Sequence, residues 1–205
     1  LIGADVPNNA GSLSLVEVSA PEGSILNARF PAAVTARHII GQMLPDVVFG
    51  ALRQARADQV PAEGASSLWN LHLVGGEPLA GATQAEQQSL LAGRRFNATS
   101  FSTGGTGARP GKDGLSVTSY PSGVRNVSLE ILESANPLVF EQKEYRQDSG
   151  GPGTVRGGLG QTIVVRHADP QAGMIIAAAF DRVVHPARGA PVSYTHLTLP
   201  TNREV

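Results

Sequence analysis

Two glycine-dense stretches constrain this chain more than anything else in it. The first runs Gly104-Gly105-Thr106-Gly107-Ala108-Arg109-Pro110-Gly111-Lys112-Asp113-Gly114. The second runs Gln147-Asp148-Ser149-Gly150-Gly151-Pro152-Gly153-Thr154-Val155-Arg156-Gly157-Gly158-Leu159-Gly160. Neither suits a helix interior or a regular strand, because glycine loses the most backbone freedom on ordering and proline has no N–H to give a ladder. Such loops stay ordered where the backbone must take φ > 0, or where another group must approach it closely. Each holds an arginine and an aspartate, and the two bracket a run that reads as strands.

The rest of the chain supplies the framework. Alternating apolar residues predict a strand over 13–18, and a turn at 21–24 precedes extended structure at 25–27. From residue 32 the pattern turns helical: one helix over 32–43, a break at Pro45, and a second helix over 46–57. Asp46 then falls near a helix start, where its charge suits the macrodipole, and Val48, Leu52 and Ala55 share one face. A polar linker covers 58–67. Strands are predicted over 68–74, 95–102, 115–120, 129–133, 138–145, 161–167 and 174–180, with a short helix capped by Thr83 and running to about residue 91. The fold class is α+β: β-rich, with a helical segment near 32–57, as a fragment of a larger domain.

Composition narrows the function. The 205 residues are 41% hydrophobic and 16% charged, which suits a soluble, core-forming protein. A net charge of −1 gives no electrostatic case for nucleic acid or an anionic membrane. Without cysteine, disulfides, thiolate metal sites and cysteine nucleophiles are excluded. No apolar run is long enough to span a bilayer, and no secretory signal is present, so a cytoplasmic location is expected. The acceptor-like triplets at Asn97 and Asn126 are read as chance on that ground.

The loops invite known motifs and mostly refuse them. Asp148-Ser149-Gly150-Gly151-Pro152 resembles the nucleophile segment of chymotrypsin-like proteases, and Thr35-Ala36-Arg37-His38 their histidine segment. Gln147 stands where glycine is needed, no cysteine follows His38, and 32–57 reads as helix, so the reading fails. A Walker loop ending at Gly111-Lys112 would need glycine at Thr106 and a hydroxyl at Asp113. No dinucleotide fingerprint is completed. His38, His72, His167 and His185 lack metal-ligand spacing. Glu130 and Glu133, three apart on a strand, would face opposite sides and not form an acid–base pair. Trp69 reads as core. What survives is anion binding. Backbone amides around Gly105, Gly107, Gly150 and Gly151 could form nests, with Arg109 and Arg156 as bidentate donors. The competing reading is that these arginines pair with Asp113 and Asp148 and fix loop geometry.

Five segments in order resemble the hydantoinase B/oxoprolinase family. They are Val6-Pro7-Asn8-Asn9-Ala10-Gly11, the stretch 21–27, Pro31-Ala32-Ala33-Val34, the loop 104–114, and Asp148 to Gly153 with Arg156 to Gly160. Asn126, Glu130 and Glu133 also resemble the family's Asn-x-x-x-Glu-x-x-Glu stretch, with Ser128 where proline is common. The resemblance implies part of the B component of an ATP-dependent amidohydrolase that opens cyclic amides such as hydantoins or 5-oxoproline. ATP would be used through a hydantoinase A-like ATPase subunit, and a divalent metal would be held by residues outside this chain. The alternatives are a related ATP-dependent ketone carboxylase subunit and a non-catalytic assembly module. The family-like domain is expected over 1–191. Residues 192–205 are expected to be a non-native tail without fixed structure: Val192-Ser193-Tyr194-Thr195-His196-Leu197, read back as codons, resembles a common sequencing adaptor.

Overall fold

The computed structural model describes residues 5–7, 9–12, 14, 16–35 and 37–189. The expected tail at 192–205 lies outside the described residues, as do Leu13 and Leu15 of the first expected strand. Two compact units are present, Leu1–Ile40 and Gly41–Val205.

In the first unit, the described residues before the helix form turns and irregular chain. Residues 16–20 are not a strand, and 25–27 turn rather than extend. Val16 and Val18 are exposed, so alternation there has no core to face. Local bonds hold the turn instead, with Asn27 Nδ2 donating to the Ala20 carbonyl at 3.0 Å and Gly23 N–H to the Asn27 carbonyl at 2.8 Å.

Helix α1 spans Arg37–Arg53 without interruption, with Pro45 inside it. Two helices were expected. A mid-helix proline loses one backbone bond and costs about 3 kcal/mol, and tertiary anchors on either side offset that loss. Gln42 is buried and donates Nε2 to the Tyr120 carbonyl at 2.8 Å. Asp46 is buried and accepts from Gly64 N–H at 3.1 Å and from the Ser66 hydroxyl. Asp46 therefore sits in mid-helix, not at a helix start.

Strand β1 (Trp69–Gly75) is central in a three-stranded antiparallel sheet, flanked by β2 (Phe96–Ser102) and by β5 (Ile175–Ala179). Strands β3 (Leu138–Tyr145) and β4 (Gln161–His167) form an antiparallel pair with a register shift between Phe140 and Gln142. Leu73, Phe96, Ala98 and Leu138 make the buried core, and Leu71, Phe140, Val165 and Met174 pack against it. Leu73 is only 1% exposed, which fixes β1 as the strand the sheet is built on. With α2 (Gln84–Ala92) and α3 (Leu129–Ala135), the architecture is α+β, as the sequence predicts.

Two expected strands are replaced. Residues 129–133 are helical because the Ser128 hydroxyl accepts Ile131 N–H, Glu130 lies in the first turn, and the Asn136 N–H closes the end on the Leu132 carbonyl. Residues 115–120 form no strand: Val117 has φ +45°, and the segment bonds alternately to both glycine loops.

Candidate functional site

The two glycine loops are not adjacent in sequence, yet they are knitted into one body. Gly114 N–H donates to the Arg156 carbonyl at 2.8 Å and Gly158 N–H to the Thr106 carbonyl at 2.9 Å, while within the second loop Gly157 N–H donates to the Gly151 carbonyl at 3.0 Å. The 115–118 segment threads between them: Thr106 N–H meets the Leu115 carbonyl, Val117 N–H the Leu159 carbonyl, and Thr118 N–H the Gly104 carbonyl, each within 3.0 Å. The chain before β1 closes a third side, with Ala62 N–H on the Ala108 carbonyl at 2.7 Å and Ala65 N–H on the Gly105 carbonyl at 2.9 Å.

This packing explains the glycines. A Cβ on Gly107 would lie inside contact distance of the Ala62 carbonyl oxygen, and one on Gly158 would overlap the Leu115 carbonyl. Both neighbours are backbone that cannot swing away. The amides of Thr106, Gly114, Gly157, Gly158 and Gly160 are spent on bonds within the body, so they do not form an open anion nest. The amides of Gly105, Gly107, Gly150 and Gly151 donate no hydrogen bond among the described residues, and Arg109 and Arg156 stand in the same loops.

Arg109 and Arg156 converge on one residue. Arg109 Nε donates to the Asp113 carbonyl at 2.9 Å. Arg156 N–H donates to Asp113 Oδ1 at 2.9 Å, and its Nε lies 3.4 Å from Oδ2. Asp113 thus fixes the root of both guanidinium groups, one from each loop. Among the described residues the terminal nitrogens of both arginines make no hydrogen bond. The pairing reading of the sequence is met for Asp113 but takes an unforeseen form, because the aspartate of the first loop serves the arginine of the second. Asp148 does not pair with either arginine. It is exposed, at φ +56°.

Ser149 is not poised as a nucleophile. Its hydroxyl donates to the Arg146 carbonyl at 2.7 Å and accepts Gly160 N–H at 2.8 Å, which ties off the base of the second loop. A narrow cleft runs between the loops and residues 62–65. Gly64, Gly105, Gly107, Gly151, Gly158 and Ala187 line it, with Glu63 as its charged side chain. Of the predicted residues, Gly105, Gly107 and Gly151 reach this cleft. Arg109, Asp113, Asp148, Gly150 and Arg156 do not line it.

A second polar centre was missed in the sequence. Asp46 of α1 lies 3.9 Å from Arg182 Nη1, and Arg182 Nη2 also contacts Glu63. Glu63 Oε2 accepts the Arg188 N–H at 2.8 Å. Burial pushes the Asp46 carboxyl above its ordinary range, outweighing Ser66, the Gly64 N–H and the Arg182 charge. Burial likewise pulls the Arg53 guanidinium down, against the pull of Asp46 and Glu63. Sequence separation hid this cluster: its members come from α1, the stretch before β1, and the chain after β5. The available signal was Asp46 and Arg182 standing among apolar neighbours. Among the described residues, no group of three or more His, Asp or Glu side chains is arranged to hold a metal. No helix there is long and apolar enough to cross a membrane.

The family model for hydantoinase B/oxoprolinase matches residues 1–191. A 5-oxoprolinase of Pestalotiopsis fici is 29% identical over 163 residues, covering 79% of this chain and 12% of that protein. A Pseudomonas sp. protein, named as the putative B component of a D-/L-hydantoinase, is 29% identical over 155 residues, covering 75% of this chain and 24% of its own length. The nucleotide-free structure of an acetone carboxylase aligns with 57% of this chain and 14% of its own, at 27% identity and a TM-score of 0.41. The chain therefore spans less than a quarter of the length of these curated relatives.

Proposed function

This chain belongs to the hydantoinase B/oxoprolinase family, and from that premise we propose that it is part of the B-type component of an ATP-dependent amidohydrolase opening cyclic amides such as hydantoins or 5-oxoproline. In this reading a hydantoinase A-like ATPase subunit activates the ring carbonyl, and the pair works in the cytoplasm. The divalent metal of the assembled enzyme takes its ligands from residues outside this chain.

The observation that carries the reading is the anchoring of Arg109 and Arg156 on Asp113. A ring carbonyl gains negative charge as it is activated and attacked. Two guanidinium groups held by Nε, with terminal nitrogens uncommitted, are preorganised to meet that charge and need no reorganisation at the moment of reaction. The interlocked glycine body supplies the rigidity behind them.

The test is made in the full-length protein with its ATPase partner. Arg109→Ala and Arg156→Ala should each lower ATP-dependent ring opening by roughly 100-fold, the size of effect seen on removing one oxyanion donor. Stability should fall by no more than about 1 kcal/mol, since Arg156–Asp113 is an exposed pair. Unchanged turnover in both variants would sink the assignment. A requirement for carbon dioxide would point instead to the carboxylase branch.

A further inference from the structure

The cleft between the glycine loops and residues 62–65 has a volume of about 20 Å³. That is room for one water-sized atom and little more. Two backbone amides of its lining are left over. Gly107 and Gly151 are buried, yet among the described residues neither N–H donates a hydrogen bond. A buried N–H without a partner is costly, so two of them on one small cleft call for an acceptor.

Two further glycines leave these nitrogens uncovered. A Cβ on Gly64 would stand 2.8 Å from the Gly107 nitrogen, and one on Gly157 would stand 3.3 Å from the Gly151 nitrogen. Both glycines line the cleft. The walls are fixed by backbone bonds, Gly157 N–H on the Gly151 carbonyl on one side and Ala62 and Ala65 N–H on the Ala108 and Gly105 carbonyls on the other. Glu63 is the charged side chain of the lining, and its two oxygens are engaged by Arg182 Nη2 and the Arg188 N–H. A carboxylate in the wall disfavours a resident anion, and the volume has no room for a whole phosphate or carboxylate group. What fits is a single oxygen that arrives uncharged, the oxygen of a carbonyl.

We propose that this cleft is an oxyanion hole, in which the N–H groups of Gly107 and Gly151 hold the oxygen of the carbonyl that water attacks. This rests on the amidohydrolase reading and deepens it. Arg109 and Arg156 do not line the cleft, but their chain neighbours Ala108 and Gly157 do. The guanidinium charges act from beside the cleft, and the two amides make the direct bonds. When water adds to the carbonyl carbon, the π pair moves onto the seated oxygen, where fixed donors meet the new charge without reorganising. When the C–N bond breaks, that pair returns to the C=O bond, and the ring nitrogen takes the proton that water gives up.

Gly157→Ala tests it in the full-length protein with its ATPase partner. The added methyl group meets no backbone closer than the Gly151 nitrogen at 3.3 Å, so the fold accepts it while it crowds that donor. The kcat for ring opening should fall by roughly 100-fold, as on loss of one oxyanion donor, with KM little changed. Gly160→Ala is the control in the same loop: its Cβ would meet nothing closer than Ser149 Oγ at 3.7 Å, and it should match wild type. Infrared spectroscopy of 2-pyrrolidinone, isotope-labelled at its carbonyl, gives a readout without turnover. Its carbonyl band should move to lower frequency on binding to wild type and to Gly160→Ala, and Gly157→Ala should lose the shifted band. A wild-type kcat in Gly157→Ala overturns the proposal, as does a band that wild type leaves unmoved or that Gly157→Ala shifts equally. A lowered Tm with wild-type kcat would assign the cleft to a structural water instead. If the shifted band depends on Gly157 while no ring amide is ever opened, the cleft stands and the amidohydrolase reading falls. If rings are opened and Gly157→Ala is as fast as wild type, the function stands and the cleft falls.

Discussion

At the scale of single residues, glycine in this protein serves two unlike purposes, and substitution separates them. Gly107 sits against the Ala62 carbonyl and has no room for a methyl group. Gly50 lies within α1 with nothing within 4 Å of the place a Cβ would take. Gly107→Ala must push two backbone segments apart, at the upper end of overpacking costs, about 3 kcal/mol or more. Gly50→Ala removes backbone entropy from the unfolded state without a clash and should stabilise by about 1 kcal/mol. In a chain of this size, about 1 kcal/mol moves Tm by roughly 2–4 °C. Thermal denaturation should therefore place the two alanine variants on opposite sides of wild type. A Gly107→Ala variant as stable as wild type would mean the loops are not packed as described. The same contrast explains why the loops looked functional in the sequence: glycine density marks close backbone approach and backbone exposed to a ligand equally well.

At the scale of elements, the cap on α2 offers the cleanest test. The Thr83 hydroxyl accepts Glu86 N–H, and the Glu86 carboxylate accepts Thr83 N–H at 2.7 Å, a reciprocal capping box. The Thr83 hydroxyl also donates to the Glu86 carboxylate at 2.7 Å, and this bond, followed by the one from Thr83 N–H, holds the Glu86 carboxyl below its usual range, so their contribution is present at neutral pH and fades as pH falls through that lowered value. Thr83→Ala should cost about 1 kcal/mol, and the deficit against wild type should shrink in acid. A deficit that stays constant down to low pH would show that Glu86 does not take part. This helix was legible from Thr83, and β1 through β5 were legible to within about two residues, because alternation over a buried face is local information. The misses have a common cause. Pro45 reads as a break unless the anchors at Gln42 and Asp46 are known, and these act through Tyr120, Gly64 and Ser66. Residues 115–120 alternate like a strand, yet their partners are the two glycine loops, and no local pattern announces that. The stretch 129–133 was misread for want of weight on Ser128 as an N-cap. Of the candidate site, Arg109, Arg156 and Asp113 stand out in the sequence, but nothing local announces that one aspartate holds both arginines.

At the scale of the larger unit, the buried centre around Asp46 should set how stability changes with pH. It joins α1, the chain before β1 and the chain after β5 through Ser66, Gly64, Glu63 and Arg182. Removing a partner from such a cluster leaves a buried charge uncompensated, which is the costly event, while a neutral isostere can be tolerated. The Asp46 carboxyl titrates above its unfolded value of 3.8 because burial outweighs its hydrogen bonds and the nearby Arg182 charge. The folded state then holds this proton more tightly than the unfolded chain. Stability from this group is fully present below the unfolded value and is lost as pH rises through the raised one. Glu63 adds to the elevation and Arg182 opposes it, so the slope reports the whole cluster. Asp46→Asn keeps an oxygen for Gly64 N–H and Ser66 while removing the titration. Its Tm, measured from about pH 3 to pH 8, should gain on wild type as pH rises, with the change concentrated just above the ordinary aspartate range. Parallel Tm curves for the two proteins would mean that Asp46 is ionised in the fold at its ordinary value and that Arg182, rather than burial, governs this centre.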